Sequence, residues 1–103
     1  MTKEEIFYIA TGQKNQGAEQ SQMFGKPCFK INGKAFVCFF QNCMVFKLTD
    51  TFHEEALSLD GSKLFDPSEK KRPMKEWVQV SFAHHKKWER FAKAALDYVQ
   101  SKT

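Results

Sequence analysis

The sequence has no CxxC or HxxxH pair, no GxGxxG or GxxxxGK[ST] loop and no apolar run of about 18 residues. These gaps exclude the usual spacings for structural zinc, the glycine loops that cradle phosphates, and a membrane-spanning helix. Cysteine is scarce: three residues, at positions 28, 38 and 43. An odd, scattered set makes no disulfide framework, and no signal peptide is evident, so reduced thiols and a cytoplasmic location are expected. Internal repeats, low-complexity tracts and domain-separating linkers are also missing. The 103 residues are therefore expected to fold as one domain, 1–103, burying roughly two thirds of their unfolded surface.

What the chain does contain is phenylalanine. Eleven Phe and 15% aromatic content predict a core built on rings. The net charge of +4 is unevenly spread, because residues 63–93 hold nine Lys or Arg against four Asp or Glu. A basic half of this kind suits a solvated face, an acidic partner or a phosphate backbone.

The stretch Met23–Leu48 reads as three antiparallel strands joined by two tight turns. Asn32-Gly33 suits a type I′ hairpin, in which both central residues take positive φ, and Gln41-Asn42 closes a second hairpin or a longer loop. With these as two-residue loops, Phe29 lies opposite Phe36, Cys28 opposite Val37, and Cys38 opposite Val45. One face then carries Phe29, Ile31, Phe36, Cys38, Phe40, Cys43 and Val45. The other carries Cys28, Val37, Phe39, Met44, Phe46 and Leu48. Neither is polar, so either both faces are covered within the chain or one is buried against a ligand or a second subunit.

Around this sheet, Thr2-Lys3-Glu4-Glu5 has the form of a capping box and predicts a helix with Ile6, Ile9 and Ala10 inward, Phe7 beside them and Gly12 as a stop. A loop follows, and then a first strand near 21–24. Thr51-Phe52-His53-Glu54 repeats the capping pattern and predicts a two-turn helix ending near Gly61. Leu64-Phe65 reads as a short strand, Asp66-Pro67-Ser68 as a turn, and 68–75 as an exposed basic loop. Residues 76–80 favour a strand on their β-branched and aromatic content. Trp88, Phe91, Ala92, Ala95, Leu96 and Val99 follow the helical period without a break, which predicts a long helix packed across the sheet. The expected fold class is α+β: an antiparallel sheet of about five strands, an N-terminal helix, a short middle helix and a long amphipathic C-terminal helix.

Candidate chemistry is sparse. His84 and His85 are adjacent, and neighbouring helical residues point about 100° apart, so with His53 they define no ligand set; no metal and no cofactor is expected. Cys38 and Cys43 share a sheet face, and His53 is the available base, but no spacing fixes their distance. Trp77 alternates away from Val78 and Val80 and is the better of the two tryptophans as a stacking platform. Together Trp77, Cys38, Cys43 and His53 form a candidate pocket. Lys70, Lys71, Arg72 and Lys75 with Lys86, Lys87 and Arg90 form a candidate contact surface for nucleic acid or a protein partner.

Met23-Phe24-Gly25, then Ile31-Asn32-Gly33-Lys34-Ala35-Phe36, then Met44-Val45-Phe46-Lys47-Leu48 resemble, in order, motifs of the N-terminal domain of the TfoX/Sxy family of competence regulators. Leu64-Phe65-Asp66-Pro67, Arg72 through Val78 and Trp88 through Val99 resemble small stand-alone proteins of that type. The resemblance spans about residues 20–100 and implies an α+β fold related to MmcQ/YjbR domains. It also implies a regulatory rather than catalytic role, with no catalytic residues to carry over; founding members act on DNA-uptake genes alongside the cyclic-AMP receptor protein and carry a second, helical domain. Three readings follow. The first is a non-enzymatic regulatory or interaction module that binds a protein partner or itself. The second is a weak nucleic-acid binder using the basic 70–93 region. The third is a small-molecule or thiol-dependent site near Trp77, Cys38 and Cys43.

Overall fold

Thr2 starts the first helix as its capping box predicts, with its Oγ1 accepting a hydrogen bond from the Glu5 backbone N–H at 3.1 Å. In this computed structural model, which describes residues 2–23, 25–66 and 74–101, α1 runs Lys3–Gln13. Its buried side is Tyr8, Thr11 and Gly12, whereas Ile6 is 55% exposed. This corrects the expected inward face of Ile6, Ile9 and Ala10: of these only Ile9 packs against the core, and Ala10 is exposed. Gly12 is not the stop either. It lies inside the helix because the Phe29 ring sits against its α-carbon, and a β-carbon there would fall 2.1 Å from Phe29 Cε2.

Six strands follow, in the order β1-β2-β3-β4-β6-β5, every neighbour antiparallel: β1 Glu19–Met23, β2 Lys26–Ile31, β3 Lys34–Phe40, β4 Cys43–Lys47, β5 Lys63–Phe65 and β6 Met74–Val80. The count exceeds the expected five because even the short outer segments pair into the ladder. Asn32 and Gly33 have φ of 52° and 80°, and Gln41 and Asn42 of 52° and 61°. Both hairpins therefore close with two left-handed central residues, as a type I′ turn requires.

One irregularity rearranges the faces. Phe29 pairs with Val37 and Lys30 with Ala35, so Phe36 is an extra residue in β3. A bulge of this kind sets two residues against one and resets the alternation of side chains. Phe36 and Val37 consequently both enter the helix-side core, with Phe29 and Ile31. Cys28 crosses to the opposite face, directly across from Cys38. The face assignment from uninterrupted alternation is thus corrected for Phe29, Ile31, Phe36 and Cys28, and holds for the rest of the two hairpins.

Helix α3, Trp88–Ser101, lies over β2, β3 and β4, preceded by a short 3₁₀ helix at Phe82–Lys87. Trp88, Phe91, Ala92, Ala95, Leu96 and Val99 are all buried, as their spacing predicts. Each of the larger ones contributes about 1.5–3 kcal/mol by leaving water. Helix α2, Asp50–Ser58, packs on β6 and α3 and starts earlier than expected. Its N-cap is Thr49, which makes no side-chain cap bond, and Asp50 has φ of 54°. The predicted cap at Thr51 is therefore corrected: the chain turns into the helix through a left-handed Asp50, a conformation short polar residues tolerate.

The sheet face away from the helices is also buried. Cys28, Cys38, Val45, Phe65 and Trp77 form a second cluster at 0–5% exposure, and Met23, Ala35, Phe40 and Met74 pack against it. Phe65 meets Phe40 edge-on at 5.3 Å between centroids and lies 6.5 Å from Trp77. The apolar second face thus needs no second subunit to leave water. Of the expected basic loop over 68–75, Met74 and Lys75 instead begin β6; residues 67–73, with most of the predicted Asp66-Pro67-Ser68 turn, lie outside the described residues.

Gly12 provides a test of this packing. Gly12→Ala gains roughly 1 kcal/mol of helix propensity but forces apart a buried ring contact, which typically costs about 1–3 kcal/mol. Because Phe29 is 1% exposed, the steric cost should win, and urea denaturation should show a net loss of about 1–2 kcal/mol. A more stable variant would show that the ring yields.

Candidate functional site

The four exposed large hydrophobic residues among those described, Ile6, Phe7, Phe52 and Leu57, all lie on α1 or α2. These helices flank α3, and both pack on it. On the α1 side, Phe7 meets Phe82, His85 and Trp88 edge-on, with centroids at 5.9, 4.9 and 5.9 Å. Phe82 and His85 stack at 4.5 Å, and the Lys3 ammonium sits 5.7 Å from the Phe82 ring. On the α2 side, the Arg90 guanidinium lies 5.2 Å from the Phe52 ring and pairs with the Glu55 carboxylate. Lys86 and Lys87 stand at the entry to α3, exposed and without an ion pair among the described residues. The outer helix surface thus presents aromatic groups and unpaired positive charge side by side.

Of the basic residues expected to form a contact surface, the structure brings Lys86, Lys87 and Arg90 together on this surface. Lys75 belongs instead to β6, where His53 Nε2–H donates to its carbonyl at 2.7 Å. Lys70, Lys71 and Arg72 lie outside the described residues. Neighbouring charges are already paired: Lys14 with Glu89 at 3.2 Å and Lys93 with Asp97 at 2.8 Å. Exposed pairs of this type are worth at most about 1 kcal/mol, which leaves them free to exchange partners. Phe7 and Phe52 were not among the expected contact residues. α1 is only weakly amphipathic, so its period could not say which aromatic side chain stays outside.

The candidate thiol pocket separates. Trp77 and Cys38 do share the second core cluster, but both are sealed in it, at 5% and 0% exposure. Cys43 is half-buried. His53 belongs to α2 on the helix side, where Ala56 packs in the main core and the imidazole is committed to the Lys75 carbonyl. Burial pushes the Cys38 thiol well above its ordinary range, with a smaller contribution from Cys28; burial also raises Cys28, partly opposed by Lys30. Both therefore stay protonated at neutral pH and are poor nucleophiles. The Tyr8 phenol is raised as well, first by burial and then by Cys28, Cys38 and Glu5.

The paired histidines also have structural partners: His84 Nε2–H donates to the Asp60 carbonyl at 2.8 Å and His85 Nδ1–H to the Phe82 carbonyl at 2.9 Å. Among the described residues, no group of three or more His, Cys, Asp or Glu is placed to hold a metal ion, and no helix is long and apolar enough to cross a membrane. Comparison with protein-family models, with curated proteins and with solved structures found no match.

Two measurements check the thiol geometry. Under native conditions an alkylating reagent should modify Cys43 and spare Cys28 and Cys38, both of which should react after denaturation; peptide mass spectrometry reads the sites. Native modification of Cys38 would contradict the burial. The second concerns alkaline pH. Cys38 keeps its proton in the folded state above the ordinary thiol value of 9.0, so the unfolded chain binds fewer protons there. Its stabilising contribution is complete below that value and declines as pH rises beyond it, at up to about 1.4 kcal/mol per pH unit for each such group. Urea midpoints should therefore fall between about pH 8 and about pH 10, and less steeply in Cys38→Ala.

Proposed function

We propose that this protein is a non-enzymatic interaction module, acting in the cytoplasm, which docks an acidic protein partner on its outer helix surface. The observation that carries this reading is that two exposed aromatic side chains lie against the basic entry of α3, Phe7 beside His85 and Trp88 and Phe52 beside Arg90. Aromatic anchors beside arginine are the groups that carry most binding energy at protein interfaces, and exposed lysines steer an acidic surface toward them. The motif-level resemblance to the TfoX/Sxy N-terminal domain supports a regulatory role of the same kind. Self-association is the simplest alternative partner for the same surface, since the second sheet face is already buried within the chain.

A nucleic-acid reading is favoured by one observation, the exposed Lys86 and Lys87 near Arg90, neither lysine in an ion pair among the described residues. Phosphate binding through these two lysines would make log affinity fall with log salt by about 0.9 for each phosphate neutralised. One experiment separates the readings. Affinity capture with the wild type and with Lys86→Glu/Lys87→Glu should enrich a specific acidic protein that salt releases, with recovery by the variant down about tenfold, equivalent to about 1.4 kcal/mol. Equal recovery by both proteins rejects the proposed surface. Fluorescence anisotropy with DNA and RNA at low and moderate salt tests the second reading, and the absence of low-salt binding rejects it. Sedimentation of the free protein tests self-association, which the same double variant should weaken.

A further inference from the structure

The two edges of the sheet are built differently. At one end β5 is three residues long and shifts register against β6 between Leu64 and Phe65. Short edge strands and bulges are common ways of keeping a sheet from pairing with another chain. At the other end β1 has neither device. It runs five residues, Glu19–Met23, and pairs with β2 in unbroken register, from Glu19 with Lys30 to Met23 with Lys26. It also lacks the proline and lysine that often blunt an edge. Beyond the ladder with β2, its backbone N–H and C=O groups make no backbone hydrogen bond among the described residues.

The side chains of β1 suit a particular neighbour. Gln20 and Gln22 lie on the helix side, opposite Phe29 and Pro27, and both are exposed, so that side of the edge is open to an approaching strand. Glu19, Ser21 and Met23 lie on the other side, with Ser21 opposite Cys28. Set antiparallel to itself about a twofold axis at Ser21, the strand is self-complementary: Glu19 meets Met23, Gln20 meets Gln22, and Ser21 meets Ser21. No like charges face each other, and each facing glutamine pair combines an amide donor with a carbonyl acceptor. Each Glu19 then has Lys30 of its own β2 on one side and, past Met23 of the second copy, Lys26 of that copy on the other. The outward backbone groups belong either to Glu19, Ser21 and Met23 or to Gln20 and Gln22. The axis maps each set onto itself.

We infer that β1 is a self-pairing edge: a second copy of this chain adds antiparallel along it and joins the two six-stranded sheets into one continuous sheet. In strand addition the main-chain hydrogen bonds supply affinity and the alternating side chains supply specificity. A single short, polar strand on each copy makes an interface below the roughly 1,200 Å² of stable complexes, so the pairing is reversible and driven by protein concentration. An extended segment of another protein can use the same backbone groups, but a second copy is what brings the complementary order of all five side chains. The edge includes none of Phe7, Phe52, Lys86, Lys87 or Arg90, and the dimer leaves the α3 surface of each copy exposed.

Sedimentation over a wide range of protein concentration, with amide hydrogen exchange on the same samples, tests this. The average mass should rise toward that of a dimer, and exchange should slow with concentration at alternate residues of β1 but not in β5. Ser21→Lys sets two ammonium groups across the axis and Ser21→Glu two carboxylates, so each variant alone should associate about fivefold more weakly, near the upper end for like charges facing across strands. Mixing the two should restore association at least to the wild-type level. A variant that merely failed to fold would not be rescued by its opposite, and the exchange pattern of the wild type decides the matter without either. Lys86→Glu/Lys87→Glu should dimerise like the wild type, which separates this edge from the α3 docking surface. The inference is overturned if the protein stays monomeric at the highest concentration, if concentration protects other residues instead of β1, if the Ser21 charges change nothing or the mixture is not restored, or if the Lys86/Lys87 variant abolishes the dimer.

Discussion

The extra residue at Phe36 places two consecutive apolar side chains, Phe36 and Val37, under the helices, with Phe29 beneath the same layer. Much of the molecule depends on that packing. Phe29 is what α1 rests on, with its ring against the Gly12 backbone and the Tyr8 ring 5.3 Å away between centroids. The Phe46 ring, on the next strand, meets Phe91 of α3 at 5.6 Å. Because side chains alternate with a period of two, a one-residue slip moves a strand's whole apolar set across the sheet. The bulge exploits this: it gives the helices the large rings and leaves the far side to Cys28, Cys38 and Val45, which are small enough for Phe65 and Trp77 to pack among them.

That division of residue sizes explains why the two faces differ in what they can do. The helix side is thick, and its outer surface is where Phe7, Phe52, Lys86, Lys87 and Arg90 meet solvent. The far side is closed by side chains from the sheet's own strands, so a short side chain or a departure from regular pairing leaves space rather than a second layer. Such a departure occurs between Leu64 and Phe65, where the β5–β6 register shifts, and a cavity beside Gln79 lies next to it. Bulges recur at sites where a strand must re-aim its side chains.

The thiols show how position outweighs residue type. Cysteine at three positions invited a nucleophile, but Cys28 and Cys38 face each other across β2 and β3 inside an apolar cluster. Burial there stabilises the neutral form, and the candidate base, His53, is engaged with a backbone carbonyl on the helix side. The same atoms on the solvent edge of the sheet would support different chemistry.

Local rules written into the sequence determined the N-cap at Thr2, the Asn32-Gly33 turn, the strand at 76–80 and the buried stripe of α3. Each depends on residues within a few positions of one another, so periodicity and turn chemistry suffice to read them. The α+β class followed from their order. Tertiary structure alone decided the bulge at Phe36, because Phe29 and Phe36 alternate correctly in either register and only the helices above distinguish the two. It also decided that Gly12 serves a ring contact rather than a helix stop, that Ile6 and Phe7 face outward, and that Gln79 is buried beside a cavity. Contact surfaces and cavities are made by residues far apart in sequence, such as Phe7 with His85, or Gln41 with Lys63 and Gln79, and no local pattern encodes which of them the fold will bring together.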